Sequence, residues 1–257
     1  MSRPLSARSI VASTLLGTEP PILPSRLLVA FTAEFGVSEG ATRVALSRMI
    51  DRGELENRDG SYALLGALLE RQHRQAAGLR PSTSEWNGRW EMVVVRPGRR
   101  SGASRAALRQ ALAHLGMGER REGTWLRPDN LPADRLPADR ATVADQADRF
   151  VADTDAEGRA LVAEVFDLDG WADESHRLIA QMAELRPQLH DGDQQVLVPG
   201  FTLAAAVLRH LVSDPLLPDE IQPDRWPATA LREVYSHYDR DYRAVLAQFF
   251  RAQQAVG

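Results

Sequence analysis

The sequence contains no cysteine and no lysine. Because cysteine is missing, the chain forms no disulfide bond, offers no thiolate to a metal and has no cysteine nucleophile. Apolar runs stay short of the ~20 residues that span a bilayer, and serine and arginine interrupt the N-terminal segment too often for a secretory signal. We therefore expect a cytoplasmic protein that has no membrane as a partner.

Sequence motifs of common enzyme sites are missing as well. There is no glycine-rich phosphate loop and no HExxH. The one GxSxG match, at residues 36–40, lies between two helical patterns and not after a strand, as a nucleophile elbow requires. The histidines are scattered, and no two of them have metal-ligand spacing on one helix. A Ser/His/Asp triad stays open, because the order of its members differs between folds. We expect no catalytic residue, no metal site and no cofactor.

Charge is distributed unevenly along the chain. Residues 1–110 carry 16 arginines against 10 acidic residues, a net charge of +6, whereas residues 111–257 carry 15 against 25, a net charge of −10. Either solvated surface charge or an anionic partner of the N-terminal half explains this difference. All 31 basic residues are arginine, the better residue for planar contacts with phosphate and guanine.

Three short helical patterns open the chain. The third follows Gly36, has Ser38 as a good N-cap and ends at Gly53. Its apolar residues form an inward stripe, which leaves a polar face for a partner. The residues expected on that outward face are Glu39, Thr42, Arg43 and Ser47.

A β-hairpin pattern comes next. Asp59-Gly60 is a pair that a two-residue type I′ turn favours, because both positions need positive φ. Three helices followed by a hairpin predict a winged helix-turn-helix, whose third helix enters the DNA major groove while the hairpin meets the backbone. Double-stranded DNA is therefore the expected partner. The candidate DNA-binding residues are Ser38, Glu39, Thr42, Arg43, Ser47, Arg48 and Arg58.

The middle of the chain has a different pattern. Gly, Pro and Ser mark a boundary near residues 80–86. Beyond it, the order strand, helix, strand, strand predicts a small ferredoxin-like α+β domain. The duplicated LPADR of residues 131–140 is interpreted as an exposed loop with room for a helical turn.

Helical patterns fill the rest of the chain, apart from residues 213–227. Four prolines interrupt that stretch, which we interpret as an ordered brace over the C-terminal helices. The expected fold class is therefore α+β and multidomain. Its predicted parts are a winged helix-turn-helix at 1–80, a ferredoxin-like central domain at 86–156 and a helical C-terminal domain at 157–257.

The apolar residues of the C-terminal half allow two interpretations. They form either the core of the subunit or a dimer interface, since the two look alike in sequence. One winged helix reads too few base pairs for genomic specificity, so we expect a homodimer on an inverted-repeat operator. The residues concerned are Leu203, Val207, Leu211, Val234, Leu246 and Phe249.

Six sequence blocks together resemble the PaaX-type transcriptional regulators of phenylacetate catabolism. The resemblance runs from about residue 5 to about residue 250 and is most specific in the last, proline-spaced block. Residues 128–147 depart from the family pattern and carry no transferable role. The blocks are RSIVASTLLG, FGVSEGATRVALSRMIDRG, RDGSYAL, WNGRWEMVVV, GTWLRP and SDPLLPDEIQPDRWPATALREVY.

The resemblance implies both a fold and a function. It implies an N-terminal winged helix, a central domain like the small CRISPR-associated ferredoxin-like nucleases, and a helical C-terminal domain. It also implies a dimeric repressor of an aromatic-acid catabolic operon. An aryl-coenzyme A thioester, phenylacetyl-coenzyme A or another acyl-coenzyme A, would release this repressor from DNA.

Such an effector needs cations beside an apolar slot, because it carries several phosphate charges and a flexible arm. Arg96, Arg99 and Arg100 precede a predicted helix, whose free N–H groups also favour anions. We expect an aryl pocket between the central and C-terminal domains. The candidates for its lining are Trp90, Trp125 and Trp171.

Two other function classes remain as alternatives. An effector-independent adaptor would use the winged helix for protein contacts, but such surfaces centre on apolar or aromatic residues, and the expected outward face has none. A metal-dependent nuclease would need carboxylates on the paired strands, where the first strand offers only Glu91. The interpretation that best fits the sequence is a DNA-binding regulator without enzymatic activity.

Overall fold

The computed structural model describes residues 5–255; the first four and last two positions, which belong to the predicted outer domains, lie outside the described residues. The chain forms two compact units, each built from separate segments. Unit 1 contains the chain up to His73, Ala180–Val207 and the chain from Val234 onward. Unit 2 contains Arg74–Ile179 and Leu208–Glu233. Helices and strands occur together along the chain, which confirms the predicted α+β class.

Unit 1 begins with helices and a small antiparallel sheet. The helices are α1 (Ala7–Leu16), α2 (Ser25–Ala33) and α3 (Glu39–Asp51). After the sheet comes α4 (Gly66–Leu79), of which the part up to His73 belongs to unit 1. The strands, in the spatial order β1-β3-β2, are β1 (Ile22–Pro24), β2 (Leu55–Arg58) and β3 (Ser61–Leu64). Leucines of the three helices and of both hairpin strands share one buried core.

The hairpin turn has the predicted geometry. Arg58 pairs with Ser61, and the two residues between them, Asp59 and Gly60, have φ of 51° and 82°. Both therefore occupy the left-handed region that a type I′ turn requires. The sequence analysis missed β1, because a three-residue strand between prolines shows no alternation.

Unit 2 contains a four-stranded antiparallel sheet in the order β5-β6-β4-β7. Two helices cross between its strands, so the element order is βαββαβ, as expected for a ferredoxin-like domain. The elements are β4 (Trp90–Val95), α5 (Gly102–His114), β5 (Gly118–Arg121), β6 (Thr124–Pro128), α6 (Pro137–Gln146) and β7 (Ala147–Ala152).

The interpretation of the LPADR duplication as an exposed loop is wrong for its second copy; the first copy has neither helix nor strand. The second copy begins α6, with Pro137 in the first turn, where a missing N–H costs nothing. Val143 packs into the core, and the buried carboxylate of Asp139 lies 3.0 Å from His114 Nδ1. Because only these two side chains of the helix are fully buried, its sequence shows almost no apolar stripe.

Helices make up most of the remaining chain, as predicted. The proline-rich segment 213–227 packs through Leu217 and Ile221 against Trp90, Leu161 and Val162, and so against the central sheet. It therefore braces the central sheet, and it also packs on the C-terminal helices, as predicted, because Trp226 stacks on Trp171. The helices are α7 (Gly158–Val165), α8 (Leu168–His190), α9 (Leu197–Val212) and α10 (Ala228–Ala255).

One helical stretch corrects the expectation about membrane spans. Among the described residues, Gln194–Val212 is long and apolar enough to cross a membrane by length and composition. In unit 1, however, the hydroxyl groups of Tyr238 and Tyr242 donate to the carbonyl oxygens of Gly200 and Leu197 at 3.0 and 3.1 Å. This packing is typical of a core helix, and a single such helix is weak evidence for a span.

The apolar residues of the C-terminal half, which the sequence assigns either to the subunit core or to a dimer interface, are mostly buried. All except the half-buried Val234 are buried, with at most 9% of their surface exposed. This favours the interpretation as the core of the subunit. The buried residues are Leu203, Val207, Leu211, Leu246 and Phe249.

Candidate nucleic-acid interface

The start of α3 is fixed by its turn and its cap. Gly36 has φ of 73°, a left-handed conformation that lets the chain leave α2 without a side-chain clash. Ser38 is the N-cap, and its Oγ accepts a hydrogen bond from the Ala41 amide at 3.3 Å. The orientation of α3 is therefore set locally, by the residues that the sequence analysis identified.

Two predicted contact residues on α3 pair with each other. Arg43 Nη2 lies 2.7 Å from Glu39 Oε1, and 63% and 60% of the two side chains are exposed. A pair this exposed contributes little to stability. Its effect is geometric, because Glu39 holds the guanidinium of Arg43 on the outer surface of the helix. Ser47 and Arg48 are also exposed, and Arg48 has no ion-pair partner among the described residues.

The expectation that Thr42 faces outward is wrong. Thr42 is completely buried, and its Oγ1 lies 2.7 Å from Thr32 Oγ1 on α2. Its hydroxyl also donates to the Ser38 carbonyl oxygen at 3.2 Å. Thr42 lies four and seven residues before Leu46 and Met49, so it shares their inward face, and its bonded hydroxyl is buried without leaving a polar atom unpaired. It positions α3 against α2.

The outward face of α3 is also less polar than expected. Val44 is 50% exposed and Ile50 is 37% exposed. An apolar side chain among arginines suits contact with a thymine methyl group, and it equally suits a protein partner. The sequence analysis argued against an adaptor because it expected a wholly polar face on α3. The exposure of Val44 and Ile50 weakens that argument.

Arg58 lies at the tip of the β2–β3 hairpin, as predicted. Its side chain is 62% exposed and pairs with Glu56 on the same strand. Asn57 Oδ1 accepts a hydrogen bond from the Gly60 amide at 2.9 Å, which stabilises the turn. The hairpin therefore presents one cation on an ordered tip, which a backbone phosphate can approach.

The predicted effector loop lies in unit 2, at the end of β4. Arg96 Nη1 bonds Asp148 Oδ1 at 2.9 Å and the Ala147 carbonyl oxygen at 3.0 Å. Arg100 donates to the Gln146 carbonyl oxygen at 3.1 Å. Two of the three arginines therefore hold the loop against the edge of β7. Arg99 has no hydrogen-bond or ion-pair partner among residues 5–255.

The three tryptophans expected in an aryl pocket do not converge. Trp90 and Trp125 lie on neighbouring strands, but Trp125 pairs with Val93, which lies three residues from Trp90, so the two rings point to opposite faces. Trp90 packs in one core cluster and Trp125 in another. Trp171 stacks on His210 with ring centroids 4.4 Å apart. The shared pocket predicted from sequence is not formed.

Glu91, the carboxylate that the nuclease alternative requires, is engaged by two arginines. Its Oε1 accepts hydrogen bonds from Arg149 Nε at 2.6 Å and from Arg140 Nη1 at 3.1 Å. Burial alone would raise the pKa of Glu91, but the bond from Arg149 and the two positive charges outweigh it and lower the pKa. Within the described residues, no three acidic or histidine side chains gather to hold a metal ion.

This network makes a prediction about stability and pH. A carboxylate whose folded pKa is lowered stabilises the fold above its unfolded pKa, near 4.5, and loses that effect as the pH falls. We expect Glu91→Gln to lower the free energy of unfolding by about 2 kcal/mol at pH 7, because Arg140 and Arg149 lose their shared anion. Denaturant titrations from pH 7 to pH 3 should show a smaller loss of stability in the variant.

The exposed Glu85 supplies the control for that experiment. Glu85→Gln removes a carboxylate from the surface, and we expect its effect to stay within about 0.5 kcal/mol. Equal effects of the two substitutions would show that Glu91 is not held as the distances indicate.

Arg127 is the important residue that the sequence analysis missed. It is fully buried on β6, and it donates to the carbonyl oxygens of Leu115 at 2.6 Å and Pro128 at 3.0 Å and to Asn130 Oδ1 at 2.6 Å. Burial lowers the pKa of Arg127 to about 9, so the guanidinium stays protonated at neutral pH. The signal in the sequence was its spacing of two from Trp125, which places both on the same face of a strand that is buried on either side.

The comparisons with known proteins cover almost the whole chain. Three family models match successive segments: the PaaX-like protein at residues 6–68, the PaaX protein central Cas2-like domain at 83–162 and the PaaX-like protein C-terminal domain at 166–252. No curated protein matches the chain.

A solved structure is similar over nearly its full length. The uncharacterized protein Rv0674 from Mycobacterium tuberculosis is 36% identical, and the similarity covers 95% of this chain and 98% of that chain with a TM-score of 0.70. The three family models follow each other in chain order without overlap. The chain therefore belongs to the PaaX family of regulators.

Proposed function

We propose that this protein is a sequence-specific DNA-binding transcriptional regulator whose α3 reads bases in the major groove. The observation that carries the proposal is the exposed face of α3, where Glu39 holds Arg43 at 2.7 Å in a capped helix that a β-hairpin follows. Helix-turn-helix proteins place such a helix in the major groove, where arginine bonds guanine O6 and N7. Membership of a regulator family supports the same proposal.

Each candidate residue then has a role. Arg43 bonds a guanine, and Ser47 contacts the same groove beside it. Ser38 and Glu39 lie at the start of the helix, where side chains approach base edges. We also propose that Arg48 on α3 and Arg58 on the hairpin bond backbone phosphates. Thr42 is not proposed as a contact, because it is buried.

We further propose that the protein binds an inverted repeat as a homodimer. Two copies related by a two-fold axis place two α3 helices in successive grooves, which doubles the number of base pairs read. Light scattering at micromolar concentration should give twice the chain mass of 28.4 kDa for the free protein, and the same protein mass added to that of the duplex for the complex. A mass of one chain in both samples would contradict the dimer.

The regulator is proposed to act as a repressor in the cytoplasm, on an operon for aromatic-acid catabolism. Its proposed effector is an aryl-coenzyme A thioester. The thioester binds preferentially to a state of the dimer in which the spacing of the two α3 helices does not match the operator. The loop of Arg96, Arg99 and Arg100 remains the effector site proposed from the sequence. We also retain the division into domains at 1–80, 86–156 and 157–257 as a proposal.

A second candidate function is that of an adaptor, which the exposure of Val44 and Ile50 favours. One experiment separates the two functions: the purified protein is mixed with fragmented genomic DNA, and the retained fragments are sequenced with and without phenylacetyl-coenzyme A. A regulator enriches fragments that share an inverted repeat and releases them with the thioester. An adaptor retains no common sequence.

A further inference from the structure

A cleft of about 500 Å³ opens in unit 2, between the proline-rich segment 213–227 and the first turn of α10. No residue of the loop of Arg96 lines it, and Leu217 joins it to the core cluster around Trp90. Its volume falls within the range of small-molecule sites, roughly 300–1,000 Å³. The proline-rich segment therefore does more than brace the central sheet, because it also forms one wall of this cleft.

The wall is held in one conformation. Prolines fix φ along the segment, and Leu216 and Arg225 adopt the left-handed region with φ of 51° and 60°. Asn130 Nδ2 donates to the Leu216 carbonyl oxygen at 3.0 Å, and Asp214 Oδ1 accepts from the Leu216 amide at 2.9 Å. Residues other than glycine rarely adopt this conformation, and the surrounding structure must hold them in it. The cleft is therefore preformed.

Two arginines of the cleft have unused hydrogen-bonding capacity. Arg159 is 53% exposed, and its two bonds are long: Nε donates to the Glu220 carbonyl oxygen at 3.4 Å and Nη1 lies 3.5 Å from Asp224 Oδ1, which leaves Nη2 free. Arg225 is exposed without a hydrogen-bond or ion-pair partner in the described chain. The third, Arg232, differs: it bonds Asp214 at 2.7 Å and the Gly78 carbonyl oxygen at 2.9 Å, which gives it a structural role. Guanidinium groups with free donors match the oxygen atoms of phosphate.

An aromatic ring and two carboxylates complete the lining. Trp226 lines the cleft and stacks on Trp171, with ring centroids 4.6 Å apart and planes inclined by 20°. This contact fixes the indole plane, and flat bases stack on such rings. Asp219 and Asp224 also line the cleft. Carboxylates accept hydrogen bonds from sugar hydroxyl groups, but they repel a free inorganic anion.

We propose that this cleft binds a nucleoside phosphate. The base stacks on Trp226, the ribose hydroxyl groups donate to Asp219 or Asp224, and the phosphate bonds Arg159 and Arg225. Two sources carry this chemistry, a free nucleotide and the adenosine phosphate end of a coenzyme A thioester. The second source rests on the proposed effector class, and it would place that effector in this cleft instead of at the loop of Arg96, Arg99 and Arg100. The first source does not depend on the effector.

Calorimetry of the full-length protein tests the proposal, with ADP, coenzyme A, phenylacetyl-coenzyme A and inorganic phosphate as probes. We expect at least one adenosine probe to bind and inorganic phosphate not to bind. The double variant Arg159→Gln/Arg225→Gln should weaken that binding at least tenfold. Binding of ADP as tight as that of coenzyme A indicates a free nucleotide, and binding of coenzyme A compounds alone indicates the thioester.

A matched variant controls for the loss of charge. Arg121→Gln/Arg251→Gln removes two exposed arginines outside the cleft and should leave the affinity unchanged. Thermal unfolding midpoints confirm that both variants fold. The proposal is overturned if no adenosine probe binds, or if the Arg159/Arg225 variant binds like the control. DNA binding, measured on the same samples, is independent of this result, so a failure of the cleft and a failure of the proposed regulator are distinguishable.

Discussion

Replacement of Arg127 by methionine should lower the free energy of unfolding by about 3 kcal/mol. The substitution leaves the Leu115 carbonyl oxygen and Asn130 Oδ1 without their donor in a buried site. The Pro128 carbonyl oxygen also loses a bond from Arg127 but keeps the Asn130 amide as a donor at 2.9 Å. Each buried acceptor that loses its partner costs roughly 1–3 kcal/mol. The loss of a buried, unpaired charge offsets part of that cost, because methionine needs no solvation.

Denaturant titration at pH 7 measures this effect, with Arg121→Met on the exposed β5 as the control. The control should change stability by no more than about 0.5 kcal/mol. Arg127→Lys should also be destabilising, because an ammonium group cannot reproduce the planar fork that serves three acceptors. Stability of Arg127→Met equal to that of the wild type would show that the buried guanidinium does not hold the fold together.

Replacement of Arg43 by alanine should weaken binding to the operator by about 1–3 kcal/mol, or about 5- to 150-fold. Arg43 is the one arginine of α3 whose orientation another contact residue fixes, through Glu39 at 2.7 Å. Loss of a bidentate bond to guanine removes discrimination at one base pair and leaves the others unchanged. Titration of labelled operators with single-base changes measures both the affinity and the position that becomes relaxed.

Arg58 gives the contrast, because a phosphate contact carries no sequence information. Arg58→Ala should weaken binding to all sequences equally and reduce the slope of log affinity against log salt by about one. The two arginines are similarly exposed, at 63% and 62% of their side chains, so exposure alone does not separate them. If Arg43→Ala bound its operator as tightly as the wild type, the assignment of α3 as the reading helix would be wrong.

Much of the fold follows from local patterns in the sequence. Asp59-Gly60 predicts its turn, because few residue pairs tolerate two positive φ values in a row. The long C-terminal helices are predicted because their apolar residues repeat over several turns. In contrast, β5 and α6 carry mostly charged and small side chains, and their structure depends on strand pairing and on a few buried contacts. Such contacts come from distant parts of the chain.

Single residues of the candidate site were mispredicted for the same reason, because contacts with distant parts of the chain decide where their side chains lie. Thr42 was expected outside because it is polar, yet its hydroxyl group is bonded to Thr32 ten residues away. Trp90 and Trp125 were grouped by residue type, and strand register separates them. The cleft in unit 2 joins Arg159 to residues near Trp226. Periodicity within one element cannot reveal such pairs.

The central claim is that the protein binds DNA by sequence, and one ratio tests it most directly. The affinity of the wild-type protein for the recovered inverted repeat is measured beside that for a scrambled duplex of the same length, at one fixed salt concentration near the physiological value. Specific regulators prefer their site by roughly 10³-fold or more. We expect a ratio in that range, and equal affinities for the two duplexes would contradict the account.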